Sequence, residues 1–214
     1  MLEVELIAET GGPYRARLRP GTPTDRRALV LTWQPVLDAG PARWLDREWS
    51  WATIGKSELH VEASPELLVI ADEVETGASG DVLGVLVTTG PTTVEHAGIA
   101  ELLELDGGLL WVEQIATAPS LRKDCPPAHR RKPRLKLVGS HLMRAAIARS
   151  RSFGLGGRIG LHAEGEIACA TYDGWLMRSL GDGVHRAGGM YPVYFGDGAW
   201  ADRFCSAPDA PGRR

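Results

Sequence analysis

The chain has 214 residues, 43% of them hydrophobic and 24% charged, with a formal net charge of -3. That length can bury a real core, and the balance is that of a soluble globular protein. A mildly acidic total argues against a dedicated nucleic-acid binder.

"VELIA" and "YRARLRP" read as two early strands, the second alternating Tyr14, Ala16 and Leu18 with arginines. A helix follows in "GTPTDRRALVLTWQPVLDAG". Thr22 suits its N-cap, Pro23 its first position, and Asp25 meets the helix dipole in the first turn. "ARWLDREWSWATIGKSEL" is expected to be a second helical piece. "ELLVIADE" and "DVLGVLVTT", with "VETGASG" between them, predict strand, turn, strand. "LLWVEQIATAP" predicts another strand, closed by Pro119. Residues 120–133 form a basic, proline-containing loop, and a helix is expected over 139–153. Its wheel groups Val138, Leu142, Ala145, Ala146 and Phe153, widened by Met143 and Ile147, with Ser140, Arg144 and Arg151 opposite. "RIGLHA" predicts a strand, "EIACATYDGWLMRSL" a helix, and "MYPVYFG" a last strand, with Pro192 marking an edge or a bulge. Residues 206–214 read as a loose tail after one domain over 1–205.

Cys125, Cys169 and Cys205 are odd in number and form no C-x-x-C pair. A disulfide framework is therefore not expected, and a reducing cytosol is the simpler setting. Glu3 and Glu5, with no basic stretch, do not support a signal peptide, and no apolar run suits a membrane span. The six histidines show no metal-ligand spacing, so no metal is expected; His162 alone sits on a strand next to the candidate site. No G-x-S-x-G elbow is present.

The strand leading through a basic loop into a helix at Val138-Gly139-Ser140 leaves first-turn N–H groups for an anion. This pattern resembles the GNAT superfamily of acyl-CoA-dependent N-acetyltransferases. The family's Gln/Arg-x-x-Gly-x-Gly/Ala signature corresponds to Arg134-Leu135-Lys136-Leu137-Val138-Gly139. "VEQIATAP" looks like the strand before it, "GGRIGLHA" like the strand after it, and "ACATY" like the family's tyrosine helix. The likeness is strongest over 109–180. Two positions depart from the family: Leu137 stands where the first glycine belongs, and Gly165 where an asparagine often stands.

The resemblance implies an α/β fold with a mixed, mostly antiparallel sheet of six to seven strands and about four helices. It implies a cytoplasmic enzyme that moves an acetyl or short acyl group from acetyl-CoA, or another acyl-CoA, to a primary amine by direct attack. It places the coenzyme on Ile115, Ala116 and Thr117 of the strand and on Arg134, Leu135, Lys136, Leu137, Val138, Gly139 and Ser140 of the loop. Glu113 would be the base, directly or through a water, and Tyr172 the acid toward the leaving thiolate. The expected partners are a small or peptide amine and a second copy paired through an edge strand at 190–195, but neither nucleic acid nor membrane. Of the basic cluster, Arg134 and Lys136 are expected at the phosphates, and Arg122, Lys123, Arg130, Arg131 and Lys132 in solvent. Trp33, Trp44, Trp49 and Trp51 are divided between core and an acceptor wall. The alternative is a GNAT-fold acyl-CoA-binding or regulatory module without catalysis, motivated by Leu137 and Gly165.

Overall fold

The computed structural model describes residues 2–55, 66–72, 81–92, 108–184 and 190–207. Strand β1 (Leu2–Ala8) turns at Gly11 into β2 (Pro13–Pro20), and the two pair antiparallel with Leu2 opposite Leu18. Helix α1 (Pro23–Thr32) begins as its residues dictate. The Thr22 side chain accepts from the Asp25 N–H, and the Asp25 carboxylate accepts from the Thr22 N–H, a closed capping box. Asp25 is fully buried and also accepts from both Arg19 guanidinium nitrogens, at 2.6 and 2.8 Å. Burial alone would raise the Asp25 pKa, but the Arg19 and Thr22 donors outweigh it and hold the carboxyl below its ordinary value.

Helix α2 (Gln34–Ala39) follows with Pro35 in its first turn. The helix expected over 42–59 does not form in its described part; a single 3-10 turn at Leu45–Glu48 takes its place. The buried residues there are Trp44, Asp46, Trp51 and Ile54, a spacing no helix face provides. They are pinned from outside the segment. Arg122 grips the Asp46 carboxylate with both terminal nitrogens and stacks 4.8 Å over the Trp44 ring, while the Trp44 indole N–H donates to Asp124 at 3.1 Å.

The remaining strands are β3 (Glu66–Asp72), β4 (Val82–Thr92), β5 (Leu109–Thr117), the two-residue β6 (Leu135–Lys136), β7 (Ile159–His162), β8 (Arg178–Val184) and β9 (Met190–Gly196). Their hydrogen-bonded order is β6-β1-β2-β3-β4-β5-β7-β9-β8. Nine strands thus replace the six to seven expected, because β6 and β8 carry little strand signal. Helices α3 (Val138–Ser152), α4 (Glu166–Gly174) and α5 (Gly198–Ser206) complete the described elements, five helices in all. Contacts divide the chain into two compact units. One contains Met1–Glu58, Glu66–Val87 and Gln114–Leu142, the other Leu59–Pro65, Thr88–Glu113 and Met143–Arg214.

In the first unit β3 pairs antiparallel with β2, β6 pairs antiparallel with β1, and the Ala118 N–H donates to the Leu83 carbonyl at the end of β5. Trp33 and Trp51 meet edge to face at 5.0 Å, and the Trp33 indole N–H donates to the Val82 carbonyl. Trp33, Trp44 and Trp51 are core; Trp49 is half-buried.

In the second unit β5 and β7 are parallel, β7 and β9 antiparallel, β9 and β8 antiparallel. Leu109, Trp111, Val193 and Phe195 form a buried cluster against Leu180. The buried stripe of α3 in this unit is Met143, Ala146, Ile147 and Ser150, whereas Phe153 is exposed, a correction to the helical wheel. The helix expected over 166–180 stops at Gly174. Leu176 adopts a left-handed φ of 58°, its N–H donates to the Asp173 carbonyl, and the Met177 N–H donates to the Tyr172 carbonyl. That is a Schellman stop with leucine where glycine is usual, and it releases Arg178–Val184 into β8. β9 is an inner strand between β7 and β8, so it offers no free edge for a second copy. Pro192 sits where the β8–β9 register shifts, the bulge rather than the edge. α5 is opened by Asp197, whose side chain accepts from the Trp200 N–H at 2.6 Å. Residues 208–214 of the expected tail lie outside the described residues.

Candidate functional site

The phosphate-loop candidates all lie in the first unit. Leu135 and Lys136 form β6, Leu135 buried and Lys136 exposed. Leu137 is the last residue before α3 and takes φ 74°, the left-handed region a glycine favours. Its carbonyl accepts from the His141 N–H, the bond that closes the first turn. The N–H groups of Val138, Gly139 and Ser140 precede that bond and have no intrahelical acceptor. A left-handed residue followed by a right-handed one turns successive N–H groups toward one point, an anion-binding arrangement. Val138 and Ser140 have buried side chains, so Gly139 brings the backbone nearest to solvent. Leu137 thus adopts a backbone that favours glycine, at a conformational cost of about 1–2 kcal/mol. Leu137→Gly is therefore expected to be more stable than Leu137→Ala by about 1 kcal/mol, measured by urea unfolding. In a right-handed or extended loop the order would reverse.

The basic cluster is mostly structural. Arg122 holds Asp46 and also donates to the Thr117 carbonyl at 3.3 Å. Arg131 bridges Asp72 and Asp81 and donates to the Tyr14 hydroxyl. Arg130 donates to the Lys123 and Cys125 carbonyls. Arg134 pairs with Glu9 at 3.0 Å. Lys123, Arg130, Lys132 and Lys136 of the seven are exposed. Arg122 and Arg131 are therefore not solvated loop charges but parts of the scaffold that holds the loop, whereas Arg130 is exposed.

On β5, Ile115 and Thr117 are half-buried and Ala116 is buried. The ladder of β5 with β7 ends at Val112–Leu161, although β5 itself runs on to Thr117.

Glu113 and Tyr172 both belong to the second unit, on opposite faces of its sheet. Alternation along β5 puts Leu109, Trp111 and Glu113 on one face. The register pairs Trp111 with Gly160, Gly160 with Phe195 and His162 with Val193, so His162, Val193 and Phe195 share that face. Tyr194 pairs with Leu161 and so points to the other face. There its ring meets the Tyr172 ring at 5.4 Å, and its hydroxyl donates to Asp173 at 2.9 Å. Tyr172 is buried and also packs on Trp175 at 5.7 Å. Burial first, then the charges of Glu164 and Cys169, push the Tyr172 phenol well above its ordinary pKa. The Tyr172 proton therefore stays in place at neutral pH.

Gly165 caps α4 at φ 83° and ψ 171°, a conformation essentially reserved for glycine. An asparagine does not suit this backbone, so the departure from the family pattern reflects a local turn. Among the described residues no cluster of His, Cys, Asp or Glu is arranged to hold a metal, and no helix is long and apolar enough to cross a membrane. Cys125 is buried and Cys169 and Cys205 half-buried, all as thiols. His60, His96 and His185 lie outside the described residues.

No protein-family description matches the sequence, and no curated protein does. Solved structures match it in shape. A GNAT-family acetyltransferase from Listeria monocytogenes aligns with a TM-score of 0.50 at 13% identity, over 90% of this chain and 99% of that one. A structure described as histone acetyltransferase HPA2 and related acetyltransferase, from Corynebacterium glutamicum, aligns at 0.45 and 18% identity, over 85% and 96%. An N-acetyltransferase from Staphylococcus aureus aligns at 0.43 and 19%, over 85% and 100%. The Listeria likeness shows that the fold is that of the GNAT acetyltransferases.

Proposed function

We propose that this GNAT-fold chain is an N-acyltransferase that moves an acetyl or short acyl group from acyl-CoA to a primary amine. The observation that carries the reading is the placement of Glu113 and Tyr172 on opposite faces of the same strands. The amine nitrogen and the departing sulfur are different atoms of one tetrahedral intermediate, so a base for the first and a separate acid for the second can share the proton transfers.

The loop 134–140 would hold the pyrophosphate through the N–H groups of Val138, Gly139 and Ser140, with Lys136 adding charge. Beyond the β7 ladder, the backbone of Ile115, Ala116 and Thr117 would bond the pantetheine arm and polarise the carbonyl. Attack requires a neutral amine, and Glu113 drives removal of its proton. Tyr172 gives its proton to the leaving thiolate. Burial that strengthens the hold of the phenol on its proton also raises the proton affinity of a thiolate beside it, so donor and acceptor stay matched.

The direct test is thiol release with acetyl-CoA and other short acyl-CoAs over a panel of primary amines. Release that requires both substrates is expected. Coenzyme binding with no release for any amine would instead leave an acyl-CoA-binding module.

A further inference from the structure

We infer that His162, paired with Glu113, is the group that takes the proton from the attacking amine; this rests on the acyltransferase reading above. The register of β5 with β7 is Leu110 to Ile159, Trp111 to Gly160 and Val112 to Leu161. Glu113 and His162 are the next residues of their strands after the last ladder pair, Val112–Leu161, and alternation puts both on the face of Trp111. The Trp111 ring orders the pair. A Cβ at Gly160 would stand 2.7 Å from that ring, so only glycine lets the indole lie across β7. The indole then meets the His162 ring edge to face at 4.9 Å, with 74° between planes. The backbone of His162 is fixed by pairing with Val193 on β9. His162 Nε2 and Glu113 Oε1 are both shielded from solvent, which strengthens an interaction between carboxylate and imidazole.

The chemistry favours this division of work. A carboxylate with an ordinary pKa near 4.3 is a weak base toward an amine, whereas an imidazole near 6.5 is matched to neutral pH. A carboxylate beside it fixes the ring and stabilises the imidazolium that forms. As the amine nitrogen bonds to the carbonyl carbon, its proton passes to the His162 ring. The C–S bond breaks, and the thiolate takes the Tyr172 phenol proton. Solvent then reprotonates Tyr172 and relieves His162, so the balance is one amide and one thiol. Among the described residues, Tyr191 on β9 and Arg178 on β8 also belong to this face, with Glu164 two residues along the chain from His162.

Two measurements test the pair. In NMR of the unliganded protein, Glu113→Gln is expected to lower the pKa of the His162 imidazole by about one unit. In thiol-release kinetics, His162→Gln is expected to lower kcat about 100-fold and abolish the acidic limb of the pH profile, with KM for acyl-CoA little changed. His162→Asn, compared with wild type by melting, separates lost chemistry from lost folding. An unchanged imidazole titration in Glu113→Gln overturns the pairing. A His162→Gln enzyme that keeps its acidic limb and its rate within about threefold overturns the proton-transfer role. If wild type releases no thiol with any amine, the acyltransferase reading fails and the proton-transfer role with it, while the NMR titration alone decides the pairing.

Discussion

Tyr172→Phe is expected to slow acyl transfer by about 100-fold or more, with acyl-CoA binding and folding unchanged. Phenylalanine keeps the ring that packs between Trp175 and Tyr194, so the substitution removes one hydroxyl and little else. Without the phenol the thiolate must leave unprotonated from a buried site, where a bare charge is costly. Tyr194 shares the face but cannot replace it, since its hydroxyl is committed to Asp173. The assay is single-turnover thiol release at saturating acyl-CoA. A Tyr172→Phe enzyme within about threefold of wild type removes Tyr172 from the reaction.

The second large effect is on stability. Asp25→Ala is expected to destabilise the fold by about 3 kcal/mol or more, the usual result of removing one partner from a buried ion pair. Arg19 loses both its carboxylate contacts, and Thr22 loses the acceptor for its N–H and hydroxyl. The effect depends on pH with a definite sign. The folded-state pKa of Asp25 is depressed, so its contribution is present above the unfolded carboxylate pKa of about 4 and is lost as pH falls through the lower folded value. Denaturant unfolding at pH 7 and near pH 3 is therefore expected to show a large gap between wild type and Asp25→Ala at the higher pH and a smaller one at the lower.

The parts of this fold that were legible in the sequence are those set by local signals. The helix start at Thr22 and Asp25, the alternation of β2, the short apolar runs of β1, β3, β4 and β5, and the loop-to-helix junction at Val138 all follow from residues within a turn of one another. The parts that were not legible depend on distant partners or on a substitute residue. The Trp44–Ile54 segment looks helical, but Arg122 and Asp124 fix it from a loop some eighty residues away. β8 was hidden because Leu176, not glycine, supplies the left-handed stop of α4. α5 did carry a signal, Asp197 at the cap with Trp200, Ala201 and Phe204 on one face, in a stretch between the expected last strand and the expected tail that was assigned no element. Glu113 and Tyr172 were identifiable as candidates by position and type. Their placement on opposite faces needed the register of β5, β7 and β9.

Leu137 shows the same contrast. In sequence it looks like a defect in a loop that favours glycine. In the fold it has the glycine's backbone, with φ 74°, so the N–H groups of the following turn remain arranged for an anion. The central claim is that this seat takes the phosphates of an acyl-CoA. A melting curve of the wild-type protein with acetyl-CoA at a hundred times its dissociation constant tests it most directly. About 2.7 kcal/mol of added stability is expected, a rise in Tm of roughly 5–10 °C for a chain of this size. A Tm that does not move with acetyl-CoA, coenzyme A or any other short acyl-CoA would contradict it.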